Sequence, residues 1–136
     1  MKLVPSNDPI LKKVCEQVTD VKKQVTPEIV REMRKIMLEN NGCGLAAPQV
    51  GIDLAFFVTA DGVYINPSWR ALSQNRIAKM EGCLSFPKRQ CIVVRYGEIS
   101  AEWMNEHGFF RKAQMRGREA RIFQHETDHT QGKTIF

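Results

Sequence analysis

The six residues "QHETDH", Gln124 to His129, place His125, Glu126 and His129 in the order H-E-x-x-H. Read as helix, the stretch sets His125 and His129 one turn apart on a common face, because positions i and i+4 overlie one another. Two imidazole nitrogens can then meet one metal ion. Glu126, one position along, points to the flank, where its carboxylate can exchange a proton with water without ligating the ion. Metal-assisted hydrolysis needs that division of labour. The competing reading is a polar helix that happens to carry two histidines. The chain has 3 histidines, however, and the motif uses two of them. His107 is left over in a polar "NEHG" turn and reads as solvent-exposed.

Outward from the motif, the glycines punctuate the chain. A final helix is predicted to begin after Gly117 and run to about Thr130, with Gly132 as its stop. Upstream, "EISAEWM" and "GFFRKAQM" read as a hairpin turning through Asn105 to Gly108, and "QCIVVRY" reads as a strand. That strand follows "EGCLSFP" and an irregular stretch. "DLAFFVTADGVYINP" predicts two strands joined at Asp61-Gly62, a strong hairpin signal. "GCGLAAPQVG" reads as a glycine-bracketed loop.

"TPEIVREMRKIMLENNG" predicts a helix from about Pro27 to Asn40, stopped by Asn41 and Gly42. Thr26 can cap it, and Pro27 suits the first turn because its missing N–H would be unpaired there anyway. Ile29, Val30, Met33, Ile36 and Met37 recur at helical spacing and face a core. The fold class is therefore α+β, with antiparallel strands packed around a C-terminal helix that carries the HExxH motif. Without repeats or a Pro/Gly/Ser linker, residues 1–136 read as a single catalytic domain.

The bulk numbers exclude several classes. A chain of 136 residues that is 43% hydrophobic and 26% charged can bury a core without disulfide staples. No apolar run approaches the ~20 residues that cross a bilayer. The opening "MKLVPSNDPILKKV" lacks the apolar run of a secretory signal, so a cytoplasmic protein without a membrane partner is expected. The net charge of +5 is scattered and contains no Lys/Arg block, which argues for a solvated basic surface and against a specific nucleic-acid site. The 4 cysteines, Cys15, Cys43, Cys83 and Cys91, form no C-x-x-C pair and read as reduced thiols.

A catalytic metal site of this kind takes three protein ligands and leaves one position open. Cys83 in "EGCLS" stands out as the third, because Gly82 lets the backbone approach closely and Ser85 and Pro87 favour a fixed segment. On the residues alone any of the four cysteines could serve, although Cys15 and Cys91 read as packing residues. In the "GCGLAAPQVG" loop, Gly42 and Gly44 permit a backbone that an extended peptide can pair with. Gln49 offers an amide donor to a developing oxyanion.

Together, "GCGLAAPQ", "EGCLS" and "QHETDH", in that order, resemble the three signature motifs of the peptide deformylases. The resemblance runs from "DPILKKV" to "GKTIF". It implies that Cys83, His125 and His129 are metal ligands and that Glu126 is the general acid/base. It also implies that Gln49 and the Leu84 N–H are oxyanion donors. The substrate backbone would pair at Gly44, with its first side chain beside Cys43. The implied cofactor is one divalent ion, Fe2+ first, with Ni2+, Co2+ or Zn2+ able to occupy the site. The implied reaction removes the formyl group from the initiator methionine of new polypeptides.

Two departures stand out. Cys43 lies between the paired glycines, where an aliphatic residue such as isoleucine is usual. The sequence also ends at Phe136, soon after His129, and so looks like the short forms found in some bacteriophages. Docking on the ribosome through a further C-terminal helix is not implied, which leaves at most a transient ribosome contact. The alternatives are a small H-E-x-x-H metallopeptidase, with a His or Glu as third ligand, and a basic binding module whose structural zinc has four protein ligands.

Overall fold

The computed structural model describes residues 1–136. A single-turn helix, α1 (Val21–Gln24), precedes α2 (Pro27–Glu39). Thr26 caps α2 by accepting the Ile29 N–H at 3.3 Å, and Val30, Met33 and Met37 are its buried face. Asn41 carries the left-handed turn that ends it, at φ 56°. The chain then enters β1 (Gly44–Ala46) and a 3-10 turn, Ala47–Val50. The segment read as a glycine loop therefore contains a short strand, because its backbone pairs with β2 (Phe56–Thr59).

β2 turns at Asp61-Gly62 into β3 (Val63–Ala71), as the sequence predicted. β3 continues through Pro67 by means of an irregularity between Ile65 and Ser68. Asn66 takes φ 50° there, and its side-chain amide accepts from the Val18 N–H at 2.9 Å and donates to the Val18 carbonyl at 3.0 Å. A proline, lacking the ladder donor, is tolerated at such a break.

β4 (Arg76–Cys83) occupies the stretch that read as irregular. Its alternation is hidden because both faces of the two-stranded sheet it makes with β5 (Phe86–Tyr96) are largely solvated. β6 (Glu98–Met104) and β7 (Phe110–Arg116) form the expected second hairpin, and α3 (Gly117–Thr130) follows.

The main sheet is antiparallel with strand order β1-β2-β3-β6-β7, which leaves β1 at an edge. Both of its faces are covered. Phe56, Val58 and Ile65 pack with α2 on one side, while Phe57, Ile99, Ala101 and Met115 pack with Ala120 and Phe123 of α3 on the other. Because successive strand residues point to opposite faces, the continuous "FFV" run feeds two cores at once.

The end of α3 is fastened to the start of the chain. The Cys15 N–H donates to the Thr130 carbonyl at 2.9 Å. Gly132, at φ 73°, packs so closely on Lys12 that a Cβ would lie 2.5 Å from its carbonyl oxygen. No helix is long and apolar enough to cross a membrane.

Candidate metal centre

Two elements, β4 and α3, meet at the inner end of β4. Cys83 is the last residue of that strand, and His125 and His129 come from one face of α3. One potential ligand atom from each lies within 4.8 Å of the others. Cys83 Sγ is 3.4 Å from His129 Nε2. Cys15 is buried elsewhere and Cys91 contacts the Ile135 carbonyl at 3.7 Å, so of the four thiols Cys83 is the one in the cluster. The cysteines are all free, and His107 is exposed.

The donor set suits a divalent ion that accepts one thiolate and two imidazoles and keeps a position for solvent or substrate. Two buried atoms without hydrogen-bond partners, Glu126 Oε1 and His129 Nδ1, lie on the same stretch of α3 as the two histidines. Burial, then the neighbouring His125 and Arg95, hold His129 down to about 3, so its imidazole is neutral and ready to ligate.

His125 is oriented from behind by Glu81, whose Oε1 lies 2.9 Å from Nδ1, which leaves Nε2 for a ligand. Burial alone would depress His125, but the Cys83 thiol, Glu126 and Glu81 outweigh it and raise it to about 10 in the metal-free protein. A metal ion must displace that proton to bind.

Glu126 sits 5% exposed against Gly44. A Cβ at position 44 would lie 2.8 Å from its Oε2, so the glycine is required by the carboxylate's position and not by backbone dihedrals. Burial raises Glu126 to about 7, although His125 and Arg95 pull the other way. A carboxylate poised there can both accept and return a proton near neutrality.

Gln49 is 1% exposed and held at both ends. Its Oε1 accepts the Ala46 N–H at 2.9 Å, and its Nε2 donates to Ser85 Oγ at 3.0 Å and faces Cys83 Sγ at 3.5 Å. Leu84 begins the tight turn between β4 and β5, and its N–H has no backbone acceptor. Cys43 lies exposed at the cleft mouth, its Sγ 2.7 Å from Arg118 Nη2.

The polypeptide deformylase family model matches residues 1–136. The chain belongs to that family. A peptide deformylase of Pseudothermotoga lettingae is 38% identical over 128 residues, which span 92% of this chain and 74% of that protein. A Plasmodium falciparum peptide deformylase, solved in complex with an inhibitor, superposes with a TM-score of 0.92 at 38% identity. That match covers 98% of this chain and 85% of the other. A probable peptide deformylase from the Synechococcus phage S-SSM7 superposes with a TM-score of 0.88 at 31% identity, covering 98% and 95%. The protein is thus a metal-dependent hydrolase with peptide deformylase activity.

The sequence reading missed the group that supports this deformylase centre from behind. Glu81 accepts from Arg95 Nε at 2.6 Å and Nη2 at 2.9 Å, as well as from Arg121. Arg95 reaches on to Asp128 at 3.0 Å. Glu81 is held down to about 2, since the donors His125 and Arg95 overcome the effect of burial. The one available signal was its place within "EGCLS" and that of Asp128 within "HETDH". Nothing in one sequence says that Arg95 lies between them.

Proposed function

We propose that the cleft holds ferrous iron on Cys83, His125 and His129 and removes the formyl group from formylmethionyl peptides, with residues 1–136 acting as one catalytic domain. When bound, the ion polarises the formyl carbonyl and makes a nearby water more acidic. Every other function falls to the chain's own groups. The β1 edge at Gly44 pairs with the peptide backbone, and the methionine side chain lodges beside Cys43 and His125. Gln49 Nε2 and the Leu84 N–H donate to the negative charge that develops on the formyl oxygen. Glu126 takes a proton from the attacking water and hands it to the departing amine, so that the C–N bond breaks to formate and a free α-amino group. Contact with the ribosome, the source of such peptides, is transient in this reading.

The observation that carries the proposal is the buried Glu126 carboxylate packed on Gly44 beside the Cys83, His125 and His129 cluster. A structural zinc site would need a fourth protein ligand, and the cluster has three. The test compares native protein with Glu126→Ala, both prepared without oxygen. Formate release from a formylmethionyl peptide and metal content are measured together. The variant should keep its metal and lose ~10²–10⁴-fold in rate. Loss of metal with the carboxylate would refute its role, and activity that tracks zinc and ignores oxygen would refute iron.

A further inference from the structure

The cleft has a volume of about 840 Å³, far more than a formyl group and one methionine side chain require. The rest of its wall must therefore meet the residues that follow the methionine. The acids in that wall are Glu81 and Glu126, both buried. Glu81 is already enclosed by Arg95, Arg121 and His125. The exposed charges in the wall are all cationic: Lys88 and Arg89 from the start of β5, and Arg118 from the start of α3. Neutral Asn40, Asn41 and Gln90 complete the rim.

These cations have defined positions. Lys88 sits at φ 66°, in a backbone kink that turns the strand at the cleft edge. The Arg89 guanidinium lies 4.1 Å over the Phe136 ring, which fixes the charge without neutralising it. Arg118 contacts Cys43 Sγ at 2.7 Å, at the mouth of the cleft, and has no carboxylate partner. A peptide leaving the centre thus runs along a cleft whose exposed charges, from β5 and from α3, are all positive.

We infer that this deformylase favours formylmethionyl chains whose next residues are acidic, with Lys88 and Arg118 as the determinants. The inference rests on the deformylase reading of the cleft. An exposed ion pair is individually weak. Exchanging an acidic residue for a basic one replaces attraction by repulsion, however, and two cations lining one cleft compound the difference. The expected preference is about tenfold in kcat/KM at low ionic strength. It should fall toward one at molar salt, where charges are screened within about 3 Å.

The experiment measures kcat/KM for formyl-Met-Asp-Asp, formyl-Met-Ala-Ala and formyl-Met-Lys-Lys peptides in the native protein, Lys88→Glu, Arg118→Glu and the double variant. The readout is the Asp-to-Lys ratio, which damage to the methionine pocket would leave unmoved because it slows all three peptides alike. Circular dichroism and metal content check that each variant is folded and loaded. The ratio should be near ten in native protein, drop in each single variant and invert in the double. A native ratio near one, or a ratio that survives the double reversal, overturns the inference while cleavage of the alanine peptide upholds the deformylase reading. Failure to cleave any of the three overturns both.

Discussion

Replacing Glu81 by glutamine keeps the shape of the side chain and removes one negative charge from beneath the metal centre. The carboxylate is 8% exposed and receives Arg95, Arg121 and His125 together. Folding lowers it from 4.5 to about 2. A depressed carboxylate contributes stability that is fully present above pH 4.5 and lost as pH falls through about 2. At ~1.4 kcal/mol per pKa unit, that contribution is about 3 kcal/mol. Breaking a buried pair by removing one partner costs about 3–5 kcal/mol. Asp128 remains 3.0 Å from Arg95 and softens the loss, so the lower end applies. At roughly 3 °C per kcal/mol for a chain of this size, Glu81→Gln should melt about 10 °C lower at pH 7. The deficit should shrink between pH 4.5 and 2, where the native carboxylate itself becomes protonated. His125 also loses its charged acceptor, and metal affinity should drop ~10–100-fold. Calorimetry of the metal-free variant and a chelator competition measure the two effects. A melting point within about 2 °C of native, with affinity unchanged, would refute the view that this carboxylate supports the site.

Cys83→Ala should lose metal and activity together, whereas Cys15→Ala and Cys91→Ala keep both, as metal analysis beside a formate assay will show. Gly44→Ala places a methyl 2.8 Å from Glu126 Oε2 and forces the carboxylate aside. Formate release should fall at least ~10-fold at unchanged metal content, since proton transfer requires hydrogen-bond reach; an active Gly44→Ala would show that Glu126 has room to spare. Phe57 is fully buried, stacks on Tyr64 at 4.8 Å and meets Phe123 edge-on at 5.4 Å. Phe57→Ala should cost about 3–5 kcal/mol in denaturant unfolding, and a cost below ~1 kcal/mol would mean α3 is not anchored there.

The parts of the fold legible in the sequence were those with a single dominant local signal. Thr26-Pro27 announced α2, Asp61-Gly62 the first hairpin, and Gly117 with Gly132 the limits of α3. β4 was illegible because its residues alternate between solvent and solvent, with Lys79 and Met80 both exposed. β1 was hidden for a different reason. A three-residue strand flanked by glycine has no periodicity to read, and it exists because β2 supplies its partner. At the site, H-E-x-x-H carried its own geometry, since both histidines ride on one helix. Cys83 needed the family motif to be chosen among four thiols, and Arg95, which touches both Glu81 and Asp128, left no mark in the sequence.

The junction between the Lys12–Cys15 segment and the end of α3 bears on how the protein is made. Two of the three clustered ligand residues ride on α3, which is synthesised after every strand, and that helix is secured by contacts spanning almost the whole chain. Contacts of such long sequence separation form late, because the intervening loop must be closed before they can. A nascent chain therefore carries Cys83 with no clustered imidazole beside it until His125 and His129 have been added and α3 has docked. Since metal binding and folding are coupled when ligands come from distant segments, the ion cannot be captured piecemeal. This enzyme's own maturation waits until α3 has folded back onto the Lys12–Cys15 segment.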